Sequence, residues 1–565
     1  SNLAIEIYKL YIYIYISIFV AWRRPVLLHL ITPSPSFPKR QLSYPNKMAP
    51  PSRNNSIKPP FLALKTRRPA VVLPHIAHAT PMQQAAIAEL ERQFALTEEV
   101  CRELGHSFLQ EMKKGLKKDD QMLKMLPSYV TGYPTGEEQG TYLALEISGM
   151  DVYVCQVKLK GERGKLSINQ YQYRIPEDLT NGEDVSVVLD YLTDCVADFL
   201  SRVGSQDLFV YSMGLSFGFP VHQVGLNKGK MLEWGHGFYY PNVVGRDIVE
   251  LLHQSFGRKG LAVRIVALAN DPAGFMRRLR YALSLCMWKL HTSITYSVCT
   301  LLAHAYQHPT TRVGIVHGAG TNCAYYETRS NFSKMTSSFN SEDDTIINTE
   351  WGGFDDDERV RLPFTFYDRK LDRESNNPHA QVFEKMASGM YLGEIVRYVI
   401  LHFVDCNLLF QGKGSVELNT PYAFNTSYMY VCEADGTEEL DDVWTVLVKM
   451  LRIPNSTQAD RGIVKKICEI VGSRSAKLLA TMLAAILSHT MEHGSGVDQE
   501  KCTIAVSGDM YEAYPSYHLR VCESLNLLLG EEMGSRLNIG MIVYSRLVGC
   551  AIVAMMAEKK QGTVL

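Results

Sequence analysis

The sequence predicts an α/β fold in which strands and helices alternate in layers. Apolar runs of strand type recur along the chain, stretches with helical spacing lie between them, and short turns join the two. The 565 residues are 46% hydrophobic and 21% charged, an ordinary globular composition in a chain long enough for more than one domain. No internal repeat is visible at a solenoid period.

Composition argues against several kinds of function. The net charge is -1, which gives no reason to expect direct contact with nucleic acid. The 12 cysteines are scattered, without a CxxC pair or a Cys/His cluster at metal-ligand spacing. We therefore expect reduced thiols in an intracellular protein and no directly bound metal.

The first 80 residues differ in character from the rest. An apolar stretch rich in Ile and Tyr precedes two arginines, the reverse of the order in a signal peptide, and Glu6 and Lys9 leave it short for a membrane span. We interpret residues 1–47 as an artefact of the gene model or a leader, with a short membrane anchor as the alternative; no membrane contact is expected. Residues 48–80 have the composition of a basic, Pro-rich solvated tail.

The first globular half begins with helical spacing at Pro81. The pattern predicts one long helix, or two helices broken near Thr97, a residue type that caps helices. The expected elements that follow are two strands within 141–159 joined at 148–150, a strand at 165–173, a helix at 185–200, a strand at 208–219 and a helix at 247–256.

The next strand, 264–274 with the sequence RIVALANDPAG, ends on the polar pair Asn270 and Asp271. A carboxylate at the end of a buried strand lies where an α/β enzyme places a general base, so Asp271 is a candidate. Asn, Asp and Pro also favour turns, and taken alone a strand-ending turn is the better interpretation.

The second half opens at 312–327 with a strand that runs into a glycine-bearing turn, where backbone N–H groups can hold a phosphate. Beside the turn, Asn322 can donate to a sugar hydroxyl, although an ordinary turn asparagine is the simpler interpretation. The elements expected after it are a helix at 381–403, two helices at 463–471 and 476–490, a strand at 502–506 and a buried helix at 542–556.

Two glutamates stand in apolar or aromatic surroundings, Glu350 in INTEWGGF and Glu384 in QVFEKM. A carboxylate accepts two hydroxyl protons, so acids of this kind often mark polyol binding. A glutamate that faces solvent is the commoner case.

The order and spacing of these motifs resemble the hexokinase family of ATP-dependent sugar kinases. Residues 133–138 read YPTGEE for the family's FPTGKE, 351–355 read WGGFD, and 372–394 give a long match, DRESNNPHAQVFEKMASGMYLGE. The resemblance runs from about residue 81 to residue 559. It implies an actin-like (ribonuclease H-like) ATPase fold with a sugar cleft between two lobes, ATP with magnesium as cofactor, and phosphate transfer to the 6-hydroxyl of a hexose.

Carried over residue by residue, the resemblance gives Asp271 the role of catalytic base. It gives the hexose contacts to Asn270, Asn322, Glu350 and Glu384, and the nucleotide contacts to Glu146, Gly149, Gly318, Gly320, Thr321, Gly508 and Gly549. The implied regions are a small lobe at 81–271, an insertion or retained intron at 275–299, and a large lobe at 300–559 whose last helix returns to the small lobe.

The nucleotide turns depart from the family pattern. The first turn, DLGGTNLR in active members, reads EISGMDVY at 146–153, so a side chain replaces a glycine and a carboxylate replaces an amide where phosphate must approach. The second turn has Ala319 for threonine, the adenosine-side DGS reads SGD at 507–509, and in the closing turn, YSRLVG at 544–549, only Gly549 matches.

The sugar segment departs too, because 217–220 read FGFP for FSYP and 234–238 read WGHGF, with Gly218 for a serine and His236 for a lysine. The sequence therefore predicts weak or no ATP-dependent hexose 6-phosphorylation. It is similar to the atypical hexokinase-like regulatory proteins of filamentous fungi, which implies a role in carbon or nutrient response, a hexose ligand, an unknown protein partner, and a cytoplasmic location, with the nucleus or mitochondrion as alternatives. An active hexokinase with altered affinity or substrate is the competing hypothesis.

Overall fold

The computed structural model describes residues 76–204, 210–235, 237–270, 295–334, 344–360, 362–492 and 501–562. The helices in this part of the chain are α1 Pro81–Phe94, α2 Glu98–Lys117, α3 Ser186–Val203, α4 Ile248–Arg258, α5 Tyr296–Gln307, α6 Phe366–Glu374, α7 Val382–Ala387, α8 Gly389–Asp405, α9 Val416–Asn419, α10 Thr426–Ala434, α11 Asp441–Thr445, α12 Gln458–Glu492, α13 Asp509–Ala513, α14 Tyr517–Leu529, α15 Glu531–Ser535 and α16 Ser545–Gly562.

The strands form one six-stranded, one five-stranded and one two-stranded sheet within the described residues. In chain order they are β1 Leu126–Thr131, β2 Gln139–Ser148, β3 Asp151–Lys160, β4 Leu166–Arg174, β5 Tyr211–Phe217, β6 Val221–Gly225, β7 Lys228–Met231, β8 Val263–Asn270, β9 Thr311–His317, β10 Thr321–Glu327, β11 Thr345–Asn348, β12 Cys502–Ser507 and β13 Leu537–Met541.

The two larger sheets share one plan. In the five-stranded sheet, β4, β3 and β2 form an antiparallel meander, and β5 and β8 follow in parallel beside β2. In the six-stranded sheet, β11, β10 and β9 form the meander, β12 and β13 follow in parallel beside β9, and β1 adds at the other edge. The turns after β2 and after β9 are thus equivalent, and they are the two glycine turns singled out in the sequence. The predicted α/β class with two sheet-centred lobes is confirmed.

Apolar side chains fill three clusters around these sheets. Helices α3 and α4 cover one face of the five-stranded sheet, and α2, α7, α8, α12 and α14 belong to the core of the six-stranded sheet. Helices α5 and α16 share the third cluster with residues of both sheets, so α16 lies against β2, β5 and β8. The last helix therefore starts beside the glycine turn that follows β2.

The predicted break near Thr97 is confirmed. Helix α1 ends at Phe94 and α2 begins at Glu98, and the backbone N–H of Val100 donates to Thr97 Oγ1 at 3.3 Å. The predicted hairpin with its turn at 148–150 is also confirmed, because β2 ends at Ser148 and β3 begins at Asp151 in antiparallel register.

The prediction of separate helices at 463–471 and 476–490 is wrong, because α12 runs unbroken through both. Gly472, in the predicted gap between them, lies where a Cβ would overlap the Tyr514 hydroxyl. Two positions on, Arg474 makes two 2.6 Å hydrogen bonds to the buried Asp368. Helix α12 is long and apolar enough to span a membrane, but 89% of its most apolar window is buried inside the protein, as in any long core helix.

A single helix at 381–403 is also wrong, because Ser388 is extended and separates α7 from α8. The first two N–H groups of α8 donate to the turn after β9, from Gly389 to Gly318 O at 2.8 Å and from Met390 to Ala319 O at 3.0 Å. The break thus brings the start of α8 against the second glycine turn.

Several sequence interpretations fall outside the described residues. These are residues 1–47, most of the tail at 48–80, Asp271, His236, and the segment 275–299 up to residue 294. The last residues of that segment are described: Tyr296 begins α5, and Val298 and Cys299 are buried in the core.

Candidate functional site

Asn322 and Glu350 lie together at one end of β10 and β11. Asn322 Nδ2 donates to Asn348 Oδ1 at 2.8 Å and to Glu350 Oε1 at 3.3 Å, and Asn348 Nδ2 donates to the same glutamate oxygen at 2.7 Å. The backbone N–H of Cys323 holds Asn322 Oδ1 at 2.8 Å. Two amide groups therefore fix one carboxylate oxygen of Glu350.

Asn348 is the residue of this group that sequence reasoning missed. It is fully buried at the end of β11, two positions before Glu350 in the same INTEWGGF segment, and this closeness in sequence is the signal that could have found it. Glu350 itself has a left-handed backbone with φ of 53°, which costs about 1–3 kcal/mol for a residue other than glycine. Such strain is typical of functional sites.

Glu384, on α7, contacts the second glycine turn next to Asn322. Its Oε2 accepts the backbone N–H of Thr321 at 3.1 Å, and the side chain is buried in α7. A Cβ on Gly320 would lie 2.8 Å from the same oxygen, so glycine is needed there for the carboxylate to reach the turn. Asn322, Glu350 and Glu384 are thus brought together by the start of β10.

Asn270 ends β8 in the other lobe and is 1% exposed. Its Nδ2 donates to the carbonyls of Phe217 and Phe219, both at 2.7 Å. The amide therefore holds the loop that follows β5, the segment compared above with the sugar-binding FSYP. Asp271, the candidate base, follows Asn270 directly and lies outside the described residues.

Gly218 lies in that loop, against the first glycine turn. Its N–H donates to Ile147 O at 2.8 Å, and a Cβ would sit 2.8 Å from the same oxygen, closer than side chains approach. The position that carries a serine in the family pattern has no room here for a side chain.

Glu146 lies on β2 just before the first glycine turn, where Gly149 has φ of 60°, and it is 3% exposed. Arg546, in the first turn of α16, places Nη1 2.8 Å from Glu146 Oε1. The same guanidinium lies over the ring of Tyr296, 5.0 Å from its centroid. Burial raises the pKa of Glu146, and the charge of Arg546 opposes that rise.

The second glycine turn contains an internal hydrogen bond and is also hydrogen-bonded to α8. Gly318 N–H donates to Gly320 O at 2.9 Å, while α8 holds the carbonyls of Gly318 and Ala319 as described above. Asp509 lies beside it, because a Cβ on Gly318 would be 2.7 Å from Asp509 Oδ1. Burial raises the pKa of the Asp509 carboxyl.

The turn after β12 is occupied by side chains of the protein. Gly508 N–H donates to Glu512 Oε1 at 3.0 Å, and Ser545 Oγ donates to Ser507 Oγ at 3.0 Å. Gly549 does not reach this group. Gly549 is buried in α16, where a Cβ would overlap the backbone of Cys299. This face of α16 therefore packs against α5 and not against the turns.

A cavity of about 330 Å³ lies between the two lobes at these turns. Its lining includes Glu146, Tyr153, Gln170, Glu512, Tyr544 and Arg546. Among the described residues, no group of three or more His, Cys, Asp or Glu side chains is arranged to hold a metal ion.

Comparison with known proteins places this geometry in a family. Two hexokinase profiles match the chain, at residues 86–281 and 312–556. Hexokinase-1 of Schizosaccharomyces pombe is 31% identical over 455 residues, covering 80% of this chain and 87% of that protein. Glucokinase of Aspergillus niger is 31% identical over 511 residues, covering 84% of this chain and 97% of that protein.

The fold agrees with a solved structure of the same kind. The hexokinase from Schistosoma mansoni complexed with glucose superposes with a TM-score of 0.67 at 28% identity, covering 84% of this chain and 99% of that one. Sequence, fold and the grouping of Asn322, Glu350 and Glu384 agree, and the chain belongs to the hexokinase family.

Proposed function

We propose that this protein binds a hexose through Asn270, Asn322, Glu350 and Glu384 and phosphorylates it with ATP weakly or not at all. Its role is then regulatory, with hexose binding reported to a protein partner in the response to carbon or nutrient supply. The sugar side is ordered by hydrogen bonds, whereas in the nucleotide cleft the protein's own side chains pair with the groups that would contact magnesium–ATP.

The observation that carries the proposal is the ion pair between Glu146 and Arg546. A carboxylate before the first glycine turn is available to hydrated magnesium only if no protein cation occupies it. Here the guanidinium of Arg546 lies on that carboxylate and stacks on Tyr296. Arginine remains protonated at every physiological pH, so the pair does not open by titration of its cation.

The charge around the cleft also opposes a triphosphate. Three carboxylates, on Glu146, Asp509 and Glu512, surround the turns, and within the cavity lining one cation, Arg546, stands against them. Two like charges about 5 Å apart repel by about 3 kcal/mol at an effective dielectric constant of 20. The N–H of Gly508 already donates to Glu512, so a backbone donor is lost as well. The described residues do not fit magnesium–ATP.

The sugar side supports hexose binding. Glu384 is buried and Glu350 is half-buried, and N–H donors fix both carboxylates, so each presents a preorganised acceptor to hydroxyl groups without the entropy loss of ordering a mobile side chain. The solved hexokinase of similar fold is described as complexed with glucose, which makes glucose the first hexose to test.

An active hexokinase with altered affinity or substrate is the second candidate. The intact group of Asn322, Glu350 and Glu384 favours it, as do the named relatives, which are hexokinases and a glucokinase. In that case Asp271 acts as general base, and its replacement by alanine lowers the rate by about 10²–10⁴.

Two measurements on the full-length protein separate the candidates. We expect a glucose-dependent rise in melting temperature that is lost in Glu384→Gln, and no glucose 6-phosphate in a coupled assay with magnesium–ATP. Turnover that disappears in Asp271→Ala would establish the active enzyme instead. Absence of the thermal shift in the native protein would remove the proposal of hexose binding.

A further inference from the structure

A chain of buried hydrogen bonds runs behind the hexose side of the cleft. His317, the last residue of β9, places Nδ1 3.1 Å from Thr321 Oγ1 and Nε2 2.7 Å from the Tyr517 hydroxyl. Trp351 Nε1 donates to Thr321 Oγ1 at 3.2 Å. At the other end, the Tyr517 hydroxyl lies 2.7 Å from Ser475 Oγ.

The donors and acceptors in this chain follow from one fixed end. Ser475 Oγ donates its single hydrogen to Ala387 O at 2.6 Å, because a carbonyl only accepts. Ser475 therefore accepts from Tyr517, and the Tyr517 oxygen in turn accepts from Nε2–H of His317.

This assignment makes His317 the Nε2–H tautomer, with Nδ1 as an acceptor. Thr321 then donates to Nδ1 and accepts the indole N–H of Trp351. Each hydroxyl in the chain gives one bond and receives one. The order of donation is Trp351, Thr321, His317, Tyr517, Ser475, Ala387.

The chain joins the segments that carry the hexose group. Trp351 follows Glu350, Thr321 precedes Asn322, and Ala387 ends the short helix of Glu384. Thr321 is the centre, because its backbone N–H also donates to Glu384 Oε2.

We propose that His317 is a positioning residue that fixes Thr321 and, through it, the carboxylate of Glu384 on the hexose side of the cleft. The His317 side chain is completely buried, so it acts through Thr321. The inference rests on the proposed hexose binding for its effect on affinity, but the hydrogen-bond chain itself does not.

The surroundings keep the imidazole neutral, as the chain requires. His317 is completely buried, and burial lowers its pKa to about 3. Its two ring nitrogens face hydroxyl groups and no carboxylate. One nitrogen therefore stays a donor and the other an acceptor throughout the physiological pH range.

Tyr517→Phe breaks the chain with little change in volume. It leaves Nε2–H of His317 without its acceptor and separates Thr321 from Ser475. We expect the hexose dissociation constant, measured with glucose by calorimetry on the full chain, to rise about 2- to 12-fold, the range for one net hydrogen bond. In a His317→Phe background the same substitution should have no further effect, because the link is already cut.

Tyr514→Phe is the matched control. Tyr514 is buried three residues earlier, and its hydroxyl donates to Cys468 O at 3.1 Å, outside the chain. It should leave the glucose dissociation constant unchanged. Equal effects of Tyr517→Phe in the native and His317→Phe backgrounds would overturn the proposal.

A second readout needs no ligand. The indole N–H resonance of Trp351, identified by its loss in Trp351→Phe, should shift in Tyr517→Phe and stay in place in Tyr514→Phe. An unchanged resonance in Tyr517→Phe would refute the chain. If native protein does not bind glucose while the resonance shifts as expected, the proposed function fails and the positioning chain stands.

Discussion

Replacing Arg546 by alanine tests the ion pair that lines the nucleotide cleft. Arg546 Nη1 lies 2.8 Å from a carboxylate that is 3% exposed, so the substitution leaves a buried charge without its cation. Unit charges about 4 Å apart attract by about 4 kcal/mol at an effective dielectric constant of 20. The Arg546 side chain is 45% exposed, and solvent screens part of this attraction, so we expect a loss of about 2 kcal/mol in the free energy of unfolding at neutral pH.

The loss of unfolding free energy caused by Arg546→Ala should increase with pH. Burial raises the pKa of Glu146 and Arg546 opposes the rise, so alanine raises this pKa further. A carboxyl whose pKa is raised by folding contributes stability that is present below its ordinary value of 4.5 and is lost as the pH increases through the folded value. The cost of Arg546→Ala is therefore small near the ordinary pKa and grows toward neutral pH.

Urea unfolding at about pH 5 and about pH 7.5 measures this difference directly. Arg536→Ala is the matched control, because Arg536 makes an exposed 2.8 Å ion pair with Glu532 within one turn of chain, and its loss should cost less than about 0.5 kcal/mol at either pH. A cost of Arg546→Ala that is equal at both pH values, or no larger than the control, would refute the reasoning.

Three further substitutions test other parts of the structure. Gly218→Ser should lower the melting temperature and leave glucose affinity no better, because its Cβ would lie 2.8 Å from Ile147 O. Asn348→Ala should weaken glucose binding about tenfold by calorimetry, since it removes a 2.7 Å donor from Glu350. Gly472→Ala should destabilise the protein by about 1–3 kcal/mol in urea unfolding, because its Cβ would overlap a tyrosine hydroxyl. A gain in glucose affinity in Gly218→Ser, unchanged glucose binding in Asn348→Ala, or an unchanged free energy of unfolding in Gly472→Ala would contradict the corresponding prediction.

The sequence predicted elements whose cause is local. Thr97 supplies a hydroxyl at a helix start, and Gly149 adopts a left-handed turn between two strands, and both roles can be recognised from neighbouring residues alone. The resemblance to the hexokinase family likewise grouped Asn322, Glu350 and Glu384, which the fold brings to one place.

The structural features that could not be predicted from local sequence depend on contacts with residues far along the chain. The helix α12 continues through Gly472, where the hydroxyl of the distant Tyr514 occupies the space that a side chain would need. Ser388 interrupts a helical pattern because the glycine turn after β9 takes the N–H groups that follow it. Arg546 lies 400 positions from Glu146 in the numbering, and neither segment alone indicates an ion pair.

The most direct test of the central claim is a calorimetric titration of the full-length protein with magnesium–ATP at saturating glucose. A cleft in which Arg546 pairs with Glu146 and carboxylates surround the turns predicts a dissociation constant above about 1 mM. Glucose should bind the same sample without ATP. A micromolar dissociation constant for ATP would contradict the account.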